Sequence, residues 1–363
     1  MKRKYTVIAD DITGAAEIAG IGYSFGLQTV LMTETEETVP ECELLVFATD
    51  TRSMNRHEAV EETRRVIRYL KSGEMGRLFK KTDSALRGHI SAELQALMEE
   101  TDYKQVLLLP QNPTKGRIVR NGIYYIEETP LHETAFAYDP EFPAHSSAVG
   151  ELVQDISVID ATDFLQVEET IKSIHESSLL AGGADLFTAC MLVSGYVRQE
   201  NNFDGLTTSK TLIVCGSTQS SSLDTTNYIR NYAIPTLPLS PSAFYEGVWD
   251  EEWIGKTVDS YTNGKGMVLT TSGYSPQEGK DFAVRLRHTM ARIVEKLTQE
   301  ATPGELVIEG GATAFALISQ LGWKSFFLTD EISPVVVRMK CMTLTDTYVT
   351  LKPGSYSWGK LFA

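Results

Sequence analysis

Short runs of apolar, strand-forming residues alternate with helical stretches along most of the chain, and this alternation limits the fold more than any other feature. YTVIA (5–9), ELLVFAT (43–49) and QVLLLP (105–110) have the composition of buried strands. AAEIAGIGYSFG (15–26) and EAVEETRRVIRYLKSG (58–73) have helical periodicity and end on glycine. Strand, helix, strand in that order builds a parallel sheet covered by helices.

The polar, glycine-bearing segment RQENNFDGLTTSK (198–210) interrupts this pattern. A second alternation follows: TLIVCG (211–216), TTNYIRNY (225–232), MVLTTS (267–272), a long helix over 277–300, ELVIEGG (305–311), TAFALISQLG (313–322) and a last pair of strands near 335–352. The expected fold is therefore α/β with two domains, 1–205 and 206–363, each a largely parallel sheet flanked by helices. With 363 residues, each half is long enough to bury its own core.

Charge narrows the function classes. Against 48 acidic residues stand 33 Lys and Arg, a net charge of −15, so the surface repels nucleic-acid phosphates and anionic membranes. Basic residues that cluster therefore carry more meaning than they would in a basic protein. The start, MKRKYTVIADD, is neither a signal peptide nor a membrane span, and no segment reaches the roughly 18 apolar residues a spanning helix needs. A cytoplasmic setting is the expectation. Cys42, Cys190, Cys215 and Cys341 show no CxxC spacing and are expected to be buried thiols in a reducing compartment. The six histidines show no metal-ligand spacing, and only His89 falls inside a motif.

In open parallel sheets, ligands bind beyond the carboxyl ends of the strands. Three such ends in the first half are rich in chemistry. IADDITGAAE puts Asp10 and Asp11, then Thr13 and Gly14, between a strand and a helix. One carboxylate suffices to cap the helix; the other is available to accept a hydroxyl proton or to bind a cation. KKTDSALRGHISAEL (80–94) supplies Lys81 and Arg87 for a carboxylate or phosphate, Asp83 and Ser84 for hydroxyl groups, and Gly88 for close approach. PQNPTKGR (110–117) adds Lys115, Gly116 and Arg117. Together they suit a small anion that carries hydroxyls, although a solvated turn with an internal Asp–Arg pair would need no ligand.

The second half carries different signals. CGSTQSSS (215–222) and EGGATAFAL (309–317) each follow a strand with glycine and hydroxyl residues, and LKPGSYSWGKLF (351–362) ends the chain with a glycine turn. Glycines and free N–H groups at helix starts cradle phosphates, though ordinary tight turns have the same composition. The Walker pattern GxxxxGK[ST] is absent, and so is GxGxxG after the first strand.

These motifs, in this order, resemble the four-carbon acid sugar kinase family. The resemblance rests on DDITGA (10–15), KKTDSALRG (80–88), PQNPTKGR (110–117), Gly216-Ser217, the GG turn at 310–314 and the terminal turn at 352–359, and it runs over nearly the whole chain. It implies phosphorylation of threonate, erythronate or 3-oxo-tetronate by ATP with Mg2+, at an active site in the interdomain cleft, with a hinge near 198–210. Asp10, Asp11 and Arg87 become the expected catalytic residues: either aspartate takes the hydroxyl proton, and Arg87, helped by Lys81, holds the substrate carboxylate. Thr13, Gly14, Lys81, Asp83, Ser84, Gly88 and Arg117 are the expected substrate contacts. Ser217, Gly310, Gly311, Ala312, Thr313, Lys352 and Gly354 are the expected nucleotide contacts, and no metal ligand is assigned. A homodimer is the expected assembly. This chain departs from the family pattern at Ala312, where an acidic residue is commoner, in the terminal turn KPGSYSWG, and in its shorter length. A non-catalytic sugar-acid sensor is the alternative reading.

Overall fold

A computed structural model describes residues 2–36, 38–139, 141–154, 156–175, 177–200, 203, 205–206, 210–216, 234–277, 279–354 and 356–362. The chain divides into two compact units, Met1–Gln199 and Glu200–Ala363. Both are α/β, each built on a mainly parallel sheet flanked by helices. The segment TTNYIRNY (225–232) and Ser217 lie outside the described residues, as does much of the expected hinge segment.

In the N-terminal unit β1 (Tyr5–Ala9), β2 (Thr29–Met32), β3 (Leu44–Ala48), β4 (Arg77–Lys81), β5 (Gln105–Leu109) and, further along the chain, Ser178–Gly182 form one parallel sheet. Its order is β2-β3-β1-β4, then Ser178–Gly182, then β5. β1, β2 and β3 are buried along their whole length, which is why they read as unbroken apolar runs. Helix α1 (Ile12–Ser24) starts on Asp11, whose side chain accepts a hydrogen bond from the Gly14 N–H at 2.8 Å. Helix α2 (Arg56–Leu70) starts on a capping box between Asn55 and Glu58. Helix α3 (Ile90–Glu100) packs against α2, while α1 packs against the helix Ala184–Val193.

The chain leaves β1 toward β3 on one side and returns over α2 to β4 on the other. The strand order therefore switches sides between β1 and β4, which stay parallel neighbours, and in such sheets the crevice for a ligand lies beyond the carboxyl ends at this switch. Asp10 and Asp11 follow β1 there, and Thr82 and Asp83 follow β4. A small antiparallel sheet over Arg117–Arg120, Ile123–Ile126 and Thr129–Pro130 stands beyond β5.

The C-terminal unit repeats the logic. Its strands, in the order Thr236–Pro238, Gly266–Thr270, Thr211–Cys215, Glu305–Glu309 and Tyr348–Lys352, are parallel. Val336–Cys341 and Ser325–Ser333 extend the sheet antiparallel. The strand order switches sides between Thr211–Cys215 and Glu305–Glu309, and Gly216 and Gly310 directly follow these two strands at the second such switch point.

Candidate active site

The N-terminal crevice is a lattice of opposed charges. Arg52, from the loop after β3, stands at its centre: Nη2 donates to Asp11 Oδ2, Nη1 donates to Asp83 Oδ1 at 3.0 Å, and Nη1 lies 3.8 Å from Asp10 Oδ2. Burial disfavours the Arg52 charge, but the carboxylates of Asp11, Asp10 and Asp83 more than offset this. Asp83 also receives Arg87 in a fork, Nε to Oδ2 and Nη2 to Oδ1, both at 2.9 Å. Burial works against the ionised Asp83; the Arg87 fork, with Arg52 and Lys81 behind it, wins and holds the carboxyl well below the usual range. The remaining edge of Arg87 donates to Asp139 at 3.0 Å.

Asp10 is different. It is 3% exposed, and neither carboxylate oxygen has a hydrogen-bond donor among the described residues. Burial pushes its pKa up to about 7; Arg52 pulls against this and Asp11 adds to it. Gly88, at φ 94° in the left-handed region, brings its backbone up to this carboxyl, and a Cβ there would stand 3.7 Å from Asp10 Oδ2. Asp11, by contrast, is fully engaged, one oxygen capping α1 and the other bound to Arg52.

Two lysines meet on the α1 side. Lys81 Nζ lies 3.5 Å from Glu17 Oε2 and Lys115 Nζ binds Glu17 Oε1, so one carboxylate gathers cations from β4 and from the loop after β5. Burial would raise the Glu17 carboxyl, but the two lysines hold it down. Gly14 keeps this approach open: a Cβ there would meet Asp11 Oδ1 at 2.8 Å and Lys81 Nζ at 3.1 Å. Thr13 stands beside it in the first turn of α1. Arg117 donates to Ser84 Oγ and lies 5.7 Å from the Phe136 ring centroid; among the described residues no carboxylate pairs with it. His89 is held by the Met54 carbonyl at 2.8 Å and packs edge-on against Phe142.

The crevice thus gathers Asp10, Asp11, Thr13, Gly14, Lys81, Asp83, Ser84, Arg87, Gly88 and Arg117 at neighbouring strand ends. Sequence reasoning missed Arg52, Glu17 and Asp139. The signal for Arg52 was present, since DTRS follows a buried strand directly, but it has no glycine or charge cluster to set it apart.

In the C-terminal unit the helix Gly311–Gln320 begins on Gly310 with no side-chain cap. The first N–H groups of a helix have no partner within it, so this uncapped end can take an anion. Gly310 has φ 103° and its N–H bonds the Lys352 carbonyl at 2.9 Å. Ala312 is exposed in the first turn, Thr313 is buried, and a Cβ on Gly216 would run into the Thr313 side chain. Lys352 points inward, 3.0 Å from Glu309 Oε1 and 3.3 Å from the carbonyls of Pro353 and Gly354, with its ammonium 4.9 Å from the Trp358 ring centroid. Glu309 is buried, and Lys352 is its ion-pair partner among the described residues.

The four cysteines are free and buried, and burial pushes Cys190 and Cys215 up to about 12, which leaves them inert. No three His, Cys, Asp or Glu side chains among the described residues are grouped to hold a metal, and no described helix is long and apolar enough to cross a membrane.

Residues 5–189 match the family model described as a sugar-binding N-terminal domain, and residues 212–356 match the one described as a nucleotide-binding C-terminal domain. The chain belongs to the four-carbon acid sugar kinase family. Among this family's curated members, the 3-oxo-tetronate kinase of Haemophilus influenzae is 24% identical over 96% of both chains. The D-threonate kinase of Salmonella typhimurium is 30% identical over 41% of this chain and 36% of its own. The crystal structure of a Haemophilus influenzae protein shares the fold, with a TM-score of 0.76 at 22% identity over 98% of each chain. The family match and the two crevices coincide: the charged lattice lies within residues 5–189 and the uncapped helix within 212–356.

Proposed function

We propose that this protein is an ATP-dependent kinase that phosphorylates a hydroxyl of a four-carbon sugar acid. The carrying observation is the Asp10 carboxyl, buried, without a hydrogen-bond donor and shifted to about 7, among cations. A base with that pKa accepts a proton near neutrality, which is what an attacking alcohol must give up. Asp11 is already committed, one oxygen to the α1 cap and the other to Arg52, whereas neither oxygen of Asp10 has a hydrogen-bond donor among the described residues. In the reaction the substrate oxygen bonds the γ-phosphorus, the bond from phosphorus to the ADP oxygen breaks, and the hydroxyl proton passes to Asp10. Such transfers depend on alignment and charge neutralisation more than on covalent help.

The substrate carboxylate is assigned to Arg117. Arg87, expected from sequence to take it, already satisfies Asp83 and Asp139, whereas Arg117 has only a hydroxyl and an aromatic face. Lys81 and Lys115 bring further positive charge, Ser84 offers its hydroxyl to the sugar, and Asp83, which accepts from Arg52 and Arg87, holds those two cations in place beside it. The uncapped helix at Gly310, with Gly311, Ala312 and Thr313, receives the ATP phosphates. Gly216 fits the same cradle. Lys352, with Gly354, shapes the terminal turn beside it.

Magnesium suits this donor set as a metal carried by the nucleotide, since Mg2+ takes phosphate oxygens and water with only one or two carboxylates. Glu309, ion-paired with Lys352 at 3.0 Å and directly before Gly310, is the carboxylate the nucleotide half would offer it. When bound, the metal would neutralise charge on the phosphates. A cytoplasmic setting and a homodimer complete the reading.

The test is ADP release with magnesium, ATP and a panel of threonate, erythronate and 3-oxo-tetronate. Turnover with one acid that disappears in Asp10→Asn supports the proposal. Folded protein that binds one of these acids but releases no ADP would favour a sensor instead.

A further inference from the structure

Beneath the Asp10 loop lies an ion pair to which the reaction gives no direct task. Lys80 on β4 and Glu93 on α3 are each 1% exposed and are bound to one another. They lie on the sheet face whose apolar core includes Ile8, Phe47, Leu78, Ile90 and Leu94. A pair so deeply buried loses its hydration, and apolar side chains of similar volume commonly serve a core as well. Its presence in this core asks for a reason beyond packing.

The contacts of Glu93 supply one. Glu93 Oε2 also accepts the Thr51 hydroxyl at 3.0 Å. Thr51 sits in the loop that continues into Arg52, and the loop's backbone is tied to the end of β1, Thr49 N–H to the Ala9 carbonyl at 3.0 Å and Arg52 N–H to the Asp10 carbonyl at 3.2 Å. Ile8 stands in register with Lys80, and Asp10 follows two residues later, on the same face. The charged groups around Asp10 thus come from four elements: Asp11 at the head of α1, Arg52 after β3, Lys80 on β4 and Glu93 on α3.

We propose that the Lys80–Glu93 pair is a positioning element of this site: through Thr51 it anchors the loop that carries Arg52, and its two charges balance the buried carboxyl of Asp10. Neither residue touches substrate. Lys80 favours the ionised form of Asp10 and Glu93 opposes it, so the pair holds the carboxyl between two extremes. The inference rests on the proposed role of Asp10 for its meaning, but its test does not require turnover.

The experiment is a 13C NMR titration of the full chain with carboxyl-labelled aspartate, the Asp10 resonance being assigned by its loss in Asp10→Asn. Glu93→Gln leaves the Lys80 charge alone and moves the Asp10 midpoint down; Lys80→Met leaves Glu93 alone and moves it up. Either variant, compared with the parent chain, suffices. Should burial of a lone charge prevent both from folding, Thr51→Val keeps the pair and cuts only the tie. It loosens Arg52 and moves the midpoint up. Displacements of at least about half a pH unit in these directions support the proposal. Smaller displacements in every folded variant, or displacements of the opposite sign, would overturn it. Failure of the kinase reading is a separate result, the absence of ADP release from the parent chain.

Discussion

Replacing Asp10 by asparagine removes an ionisable group that the fold holds at a disadvantage. A carboxyl raised from the ordinary range to about 7 favours the folded chain only while it is protonated. The folded state binds more protons than the unfolded state between roughly pH 4 and pH 7, so this contribution is lost as pH rises through that window. The full effect is on the order of 4 kcal/mol, of which about 3 kcal/mol falls between pH 5 and pH 8.5. Asparagine keeps the shape and adds an amide N–H that also lacks a partner, worth about 1–3 kcal/mol, but that term does not change with pH. The difference in Tm between variant and parent should therefore grow in favour of the variant by roughly 6–12 °C from pH 5 to pH 8.5, for a unit of this size. Thermal unfolding followed by circular dichroism at the two pH values is the assay. A difference that stays constant with pH, or that shrinks toward pH 8.5, would refute the buried, raised Asp10.

Three further changes separate the parts of the site. Arg117→Ala removes a charge-assisted contact of about 1.5–3 kcal/mol, so KM for the sugar acid should rise about 10- to 100-fold while KM for ATP stays within a factor of two or so, measured by steady-state kinetics. Gly216→Ala sets a Cβ against Thr313 and displaces the start of the helix Gly311–Gln320, at a cost of about 1–3 kcal/mol. Calorimetry should then find ATP binding weakened tenfold or more and sugar-acid binding unchanged. Arg52→Met leaves Asp10, Asp11 and Asp83 without their shared cation. It should abolish sugar-acid binding at neutral pH and partly restore it as the carboxyls are protonated on acidification.

Much of the fold was legible because its central strands are covered on both faces. YTVIA, ELLVF and TLIVC carry no polar residue inside the apolar run beyond threonine, and only a buried parallel strand asks for that. The short strand Thr29–Met32 and the strand Ser178–Gly182 were missed: the first is four residues long, and the second mixes small residues with leucine in a way that loops share. Helix starts were less legible than helices. Helix α1 begins at Ile12, three residues before its apolar periodicity, because Asp11 caps it. That cap is also what separates the two aspartates. In the sequence they are equivalent neighbours; in the fold one turns to the helix N-terminus and the other into the sheet. Glu17 and Asp139 carry no local signal, and that of Arg52 is weak, for a related reason, since each matters through partners more than 30 residues away. The glycine at 216 was noticed, but its reason, the Thr313 side chain, is a contact across two parallel strands that no local pattern records.

The central claim is transfer of the γ-phosphoryl group of ATP to a hydroxyl of a four-carbon sugar acid, and 31P NMR of the reaction mixture tests it most directly. Incubation with ATP, magnesium and the active acid should yield ADP and a new phosphomonoester signal in equal amounts, both lost in Asp10→Asn. Inorganic phosphate appearing in place of the phosphomonoester, or no change in the ATP signals with any acid of the panel, would contradict it.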